Sequence, residues 1–473
     1  MTRAILATCA AAALLAGCSL VPDYLRPGLP VPDAWPQGPA SPAVAPAAAG
    51  QTLWADVAWN KFFVDPDLQR LIRQALDNNR DLRVAALNIE VARATYRVTE
   101  SALLPTVNAG ASGTIQRTPA GLSSTFPPAA LTTRSYSANL GVTSFELDLF
   151  GRLHSLDERA LETYFATREA RDSTRISLIA EVANAYLTLL GDRKLLALTE
   201  DTLATRTTSL DLIRRSFEHG IGSQLDVAQA RTAVETARVN HARYIRQLDL
   251  DKNALTLLVG APVDPGKLAA GSLDAMHFVD DLPVGLPSQV LLRRPDIVEA
   301  EHTLKAANAN IGAARAAFFP AITLTGSGGS ASPTLDTLFA AGSGAWTFAP
   351  QMVLPIFDAG KNFANLDSAK ASRAIAVAQY DKAIQSAFRE VADALATKGT
   401  MSAQLAAQTA LVDATQDSYR LSKARYDRGI DSYLTVLDSQ RSLYGAQQDL
   451  VTLQVERLSN LVTLYKALGG GRT

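Results

Sequence analysis

The chain has 473 residues, of which 47% are hydrophobic and 19% charged, which excludes a disordered polymer. Lys and Arg total 45 against 46 Asp and Glu, a net charge of −1, so there is no basic field to hold nucleic acid. Both cysteines, Cys9 and Cys18, lie in the first 18 residues, and no two of the five histidines stand at helical ligand spacing; a disulfide framework and a thiolate metal cluster are excluded.

Arg3, an apolar run from Ala4 to Ala16 and the small residues before a break mark residues 1–17 as a secretory signal peptide. Leu15-Ala16-Gly17-Cys18 resembles a bacterial lipobox. That pattern implies cleavage before Cys18, a diacylglycerol on its sulfur and an acyl chain such as palmitate on its amine. Cys9 leaves with the signal, and residues 18–65 become a lipid-anchored N-terminal segment. Asp after the lipidated Cys is the usual inner-membrane retention mark; Ser19 stands there instead, which favours the outer membrane. No later stretch offers 18 unbroken apolar residues, so no membrane-spanning helix is expected.

Residues 66–101 place Leu68, Leu71, Ile72, Ala75, Leu76, Leu82, Ala86, Leu87 and Ile89 at a helical period without internal proline. Helices are likewise predicted over 152–218, 224–259, 296–317, 361–428 and 432–468. Between the first two helical runs the period changes to two: Val107, Ala109, Ala111, Gly113 and Ile115 alternate with polar or small residues, as do Tyr136, Ala138, Leu140 and Val142. The pattern returns at Ile322, Leu324 and Gly326 and at Trp346, Phe348, Pro350, Met352 and Leu354. Strands of about ten residues with one apolar face suit a membrane β-barrel. They equally suit four strands of a soluble sheet packed on helices.

The second half of the chain repeats the first about 210 residues later, the size of a long structural repeat. Ala102-Leu103-Leu104-Pro105 returns as Ala317-Phe318-Phe319-Pro320, and Phe217-Glu218-His219-Gly220-Ile221 as Tyr426-Asp427-Arg428-Gly429-Ile430. Leu225 and Val227 match Leu434 and Val436, and Val259-Gly260 matches Leu468-Gly469. The first copy is thus read as 66–261 (hairpin 105–148, helical tip near 220) and the second as 291–469 (hairpin 320–355, tip near 429). A Pro/Gly-rich linker at 262–290 joins them, and 470–473 is a tail. Helix 152–218 would be roughly 100 Å long at ~1.5 Å per residue, and two shorter runs end to end would match it. Four strands cannot close a membrane barrel, whose smallest members hold about eight. Open sheet edges cannot sit in lipid, so several copies must share one barrel.

Gly285-Leu286-Pro287-Ser288, Leu291-Leu292-Arg293-Arg294-Pro295-Asp296-Ile297 and Ala300-Glu301 resemble the signature of the outer-membrane factor family, the TolC-like efflux channels, and in particular its acylated NodT-type lipoproteins. Pro22-Asp23-Tyr24, Ala313 to Pro320, and Tyr426 and Gly429 followed by Ser432-Tyr433-Leu434-Thr435-Val436-Leu437-Asp438 extend the likeness over essentially the whole chain. The resemblance implies a mainly α fold with a membrane β-barrel portion. In a homotrimer, four strands per protomer give a 12-stranded barrel continuous with a 12-helix periplasmic tunnel. It implies an outer-membrane channel of a tripartite efflux system, a passive exit duct for small toxic compounds, lipid-anchored and extending into the periplasm. The implied partners are outer-membrane lipid, a periplasmic adaptor protein and an inner-membrane pump.

Gly220 and Gly429 each interrupt a helical run, and Ser223 and Ser432 follow three residues on as candidate caps, which reads as two helical hairpins. By the resemblance, the tips His219-Gly220-Ile221 and Arg428-Gly429-Ile430 dock the adaptor. Leu434 and Asp438 stand one turn apart and share a helix face. The resemblance makes them a periplasmic gate, an apolar constriction with an acidic ring that attracts cations, braced by Tyr426 and Arg425, with Asp226 as first-copy acidic counterpart. The same spacing also fits an ordinary pair with Leu in a helix seam and Asp in water.

The run from Gly260 to Lys267 lacks the glycine spacing of a phosphate loop and Leu268 follows the lysine, while Gly326-Ser327-Gly328-Gly329-Ser330 opens no helix. No nucleophile, base and orienter can be assembled, so neither catalysis nor a cofactor is expected, apart from the acyl groups on Cys18. A conduit for protein export and a non-conducting periplasmic scaffold lipoprotein are the alternatives.

Overall fold

The structure, a computed structural model, describes residues 19–41, 53–123, 126–127, 129–264, 271–279, 284–285 and 287–472. The signal peptide, Cys9 and the lipidation site Cys18 lie outside the described residues. In chain order the main elements are α1 (Pro66–Asn78), α2 (Arg80–Ser101), β1 (Val107–Thr118), β2 (Leu131–Leu147), α3 (Arg152–Glu218), α4 (Gln224–Val259), α5 (Pro295–Ala316), β3 (Ala321–Ser332), β4 (Gly344–Val353), α6 (Lys361–Asp427) and α7 (Tyr433–Ala467). The two 67-residue helices α3 and α6 mirror the duplication. Cα packing separates residues 1–27, 88–167 and 299–380 from residues 28–87, 168–298 and 381–473.

The first unit holds the sheet, antiparallel throughout in the order β1-β2-β3-β4. β1, β2 and β3 run longer than their alternating cores suggested, because residues beyond those cores continue the ladder, whereas β4 nearly coincides with its core. The register sets Ala109 across from Leu140 and Ile115 across from Arg134, then Leu140 across from Gly328, and Gly328 across from Trp346. Residues 19–26 lie along α5 in the opposite sense. Arg315 Nη1 donates to Leu20 O at 3.0 Å, Asn308 Nδ2 to Pro22 O at 2.7 Å, and Arg26 clamps the buried Glu301 at 2.6 Å.

The second unit is built around aromatic packing. Phe62 stacks on Tyr465 at 4.1 Å, Phe63 meets Phe278 edge-on at 5.3 Å, and the Tyr465 hydroxyl donates to Val57 O at 2.6 Å. α1 contributes Leu68, Leu71, Ile72 and Ala75, one apolar stripe at helical spacing. The segment read as a linker takes part in this packing: Leu273, Met276, Phe278, Val284 and Val290 are all buried.

One predicted helix is divided. The run 66–101 breaks at Asn79, whose backbone is extended at ψ 134°. Asn79 Oδ1 accepts from Leu82 N at 2.9 Å, capping α2, while its Nδ2 donates to Leu258 O at 2.9 Å, near the end of α4. The side chain thus satisfies one orphan donor at the start of α2 and one orphan carbonyl at the end of α4.

Candidate functional site

The tips lie in the second unit. α3 ends at Glu218, Gly220 turns left-handed at φ +73°, and Ile221 N and Gly222 N donate back to Ser216 O at 2.9 and 3.1 Å. α6 ends in the same way, with Gly429 at φ +70° and Ile430 N donating to Arg425 O at 3.0 Å. Both copies therefore close with one glycine-dependent cap. His219, Gly220, Ile221, Arg428, Gly429 and Ile430 are all exposed, Ile221 to 84%.

The two following helices start differently. Ser223 Oγ accepts from Asp226 N at 3.1 Å, and Asp226 Oδ2 accepts from Ser223 N at 3.1 Å and Ser223 Oγ at 2.7 Å, a reciprocal capping box. Ser432 makes no side-chain cap bond, so of the two candidate caps only Ser223 acts. In the repeat, Thr435 corresponds to Asp226, and it is Gln229 that corresponds to Asp438.

Behind the turns Leu210, Ile213, Ala230, Val234, Tyr433, Val436 and Leu437 form a buried cluster. Tyr426 packs against it, edge-on to Tyr433 at 5.6 Å. Burial pushes the Tyr433 phenol up to about 12 and raises that of Tyr426. Arg425 grips Asp431 with Nε at 2.6 Å and Nη2 at 2.9 Å, which holds the Asp431 carboxyl below its ordinary value. Arg425, Tyr426 and Asp226 are thus engaged within their own turns. Leu434 and Asp438, away from the buried side of α7, are exposed one turn apart, and Arg441 approaches Asp438 at 3.4 Å. Leu225, the repeat counterpart of Leu434, is also exposed, at 65%.

The sheet has two unlike faces. Its pairing groups Val107, Ala109, Ala111 and Ile115 with Tyr136, Ala138, Leu140 and Val142, then with Ile322 and Leu324, and with Trp346, Phe348, Pro350 and Met352. The other face carries Asn108, Ser112, Thr114, Gln116, Thr133, Ser135, Ser137, Asn139, Thr323, Thr325, Ser327, Thr347 and Gln351. A bulge between Val142 and Phe145, with Ser144 at φ 57° and its N–H on Thr325 Oγ1 at 3.2 Å, inserts one residue. That insertion keeps Phe145 and Leu147 on the apolar face and Glu146 on the polar one, where Arg152 binds it at 2.5 Å. On the polar face, a Cβ on Gly141 would stand 2.6 Å from Gly326 O, so only glycine permits that strand spacing. β4 is exposed along its whole length, Trp346 to 80%.

Sequence reasoning missed three residues. Repeat alignment alone would have found Leu225. Asp431 was signalled only by its closeness to Arg425, and Ser144 by nothing, since a serine in a strand announces no left-handed backbone. The Arg293-Arg294-Pro295-Asp296 motif proves to be a brace: buried Arg294 donates to Ala467 O at 2.6 Å, at the end of α7, and pairs with Asp296 and Glu390 at 2.7 and 2.9 Å. Among the described residues no three His, Cys, Asp or Glu side chains are grouped to hold a metal ion, and no helix is long and apolar enough to cross a membrane.

Comparison with known proteins adds to this geometry. The family model described as "Outer membrane efflux protein" matches twice, over residues 71–261 and 286–470. The chain is 52% identical over 471 residues to the toluene efflux pump outer membrane protein TtgC of Pseudomonas putida, covering 100% of this chain and 96% of that one. Among solved structures, a membrane protein from Pseudomonas aeruginosa is similar with TM-score 0.87 and 42% identity, covering 96% of this chain and 100% of the other. The open state of the Neisseria gonorrhoeae MtrE outer membrane channel is similar with TM-score 0.86 and 40% identity, covering 96% and 99%.

Proposed function

Since this chain belongs to the outer membrane efflux protein family, we propose that three copies of it form the outer-membrane channel of a tripartite efflux system, a passive exit duct for small toxic compounds. TtgC is named for toluene efflux, and this chain would serve solutes of that apolar kind. The observation that carries the reading is the sheet: four strands, one apolar face, one polar face, and no strand paired to the outer edge of β1 or β4 among the described residues. Such a sheet meets lipid on one side and water on the other only when its edges pair with further copies. Three copies supply 12 strands.

Cys18, lipidated, would tether the N-terminus to the outer membrane, each buried methylene adding ~0.8 kcal/mol. The exposed tips at 219–221 and 428–430 would dock a periplasmic adaptor bound to an inner-membrane pump. Leu434 and Asp438 would line the narrow end, with Leu225 beside them in the ring. Arg425 and Tyr426 would hold the turns in shape, and the capping role of Asp226 makes it a lesser contributor to any acidic ring. The function needs no catalytic step. The non-conducting scaffold reading requires helices to cover the strands, whereas β4 is bare.

The test is conductance. Purified protein in planar bilayers should pass current with a preference for cations, and Asp438→Asn should lower that preference. A bilayer that stays electrically silent with correctly assembled protein sinks the reading.

A further inference from the structure

Beside the first described residue, Ser19, a groove of about 440 Å³ opens between the end of α2, the base of β2 and the start of α3. Its apolar lining is Leu103, Phe145, Leu147, Leu149 and Leu153; its polar lining is Glu146, which Arg152 neutralises, with buried Asp148 and exposed His154 paired at 2.8 Å. Phe145 and Leu147 also belong to the apolar face of the sheet, so the groove continues the surface that meets lipid. Its volume falls within the roughly 300–1,000 Å³ of small-ligand sites.

The chain leads directly into it. Gly312 of α5 leaves so little room that a Cβ there would stand 2.5 Å from Val21 Cγ2, and Leu20 O, Pro22 O, Tyr24 and Arg26 are all held by α5 side chains. With Leu20 fixed and Ser19 lining the groove, the Cα of Cys18 can stand no farther than about 7 Å from that of Leu20, with its sulfur one short side chain beyond. We propose that this groove is the seat of one acyl chain carried by Cys18, which makes the lipid an intramolecular ligand of the barrel's base rather than a free tether. The proposal rests on the lipid-anchor reading above. A seated chain covers Leu103 and the apolar side chains at the base of β2 and presents its polar head to exposed His154, leaving the remaining chains to the bilayer.

Cells fed a fatty acid that carries a photoreactive diazirine would incorporate it into the lipoprotein and into phospholipid. The full-length protein, purified in native membranes, would then be illuminated and digested. The expected result is a covalent link from the Cys18 peptide to the peptide containing residues 145–154 or Leu103 of the same chain, lost in Cys18→Ser and reduced in Leu147→Trp, which fills the groove. Linkage confined to phospholipid or to another copy overturns the proposal. So does groove labelling that persists in Cys18→Ser, since a bilayer lipid is then the occupant. An unacylated Cys18 peptide is recognised separately by its mass and sinks the anchor reading together with this one.

Discussion

Gly220 and Gly429 show what a single residue contributes at the tips. Both sit near φ +70° with no neighbour close to where a Cβ would be, so any cost of substitution is backbone strain alone. Gly220→Ala and Gly429→Ala should each lower stability by about 1 kcal/mol, read by thermal unfolding of the detergent-solubilised protein. The effects should add, because each strain is confined to the backbone of its own glycine. Asp226 and Asp438 separate structure from permeation. Asp226→Ala removes the acceptor of the capping box and should cost about 1 kcal/mol with cation preference unchanged. Asp438→Asn should do the reverse, and equal effects on both quantities would refute the division of roles. Sequence alone paired these two acids because both are acidic and near a tip; hydrogen bonding, which no spacing reveals, distinguishes them.

Elements were legible where periodicity was long. α3, α4 and α7 have boundaries within a residue of those predicted, since proline-free amphipathic runs leave the chain no alternative. The run 66–101 was misread because one asparagine, buried among helix ends, outweighs a continuous apolar stripe. The bulge in β2 had no signature, yet the strand depends on it. Ser144→Val, whose β-branched side chain resists the left-handed backbone of the bulge, would favour a regular strand and so move Phe145 and Leu147 to the polar face and Glu146 to the apolar one. The expected result is loss of the assembled, heat-modifiable band on gels while the helical circular dichroism persists. Between α3 and α4, burial and a hydrogen bond to Asp251 push the Asp192 carboxyl from 3.8 up to about 6. A raised acid pKa means that the folded chain keeps a proton the unfolded chain releases, so this stabilisation is full below about 3.8 and lost as pH climbs through 6. Asp192→Asn should therefore stabilise by about 1 kcal/mol at pH 7, allowing for a half-exposed side chain, and by almost nothing at pH ~3, below the unfolded value. Melting temperatures at the two pH values decide it.

At the scale of the whole molecule, the duplication, the strands and their two faces could be read from the sequence, as could the shortage of strands that calls for further copies, whereas the residues that would meet across the sheet's open edges could not, because one chain holds only one side of such a contact. Trp346→Asp places a charge on the apolar face without touching the helices, and should reduce outer-membrane assembly while the tips stay folded, as limited proteolysis would report. The polar face has a consequence of its own. Apart from Glu146 at its base, it carries hydroxyls, amides and bare glycine backbone interspersed with small aliphatic side chains such as Ala321, Ala349 and Val353, with Ser112 and Ser137 joined at 2.9 Å. A solute drifting past such a lining meets no aromatic ring to stack on and, beyond Glu146, no fixed charge. Discrimination among cargoes is then surrendered along this face and left to other parts of the chain.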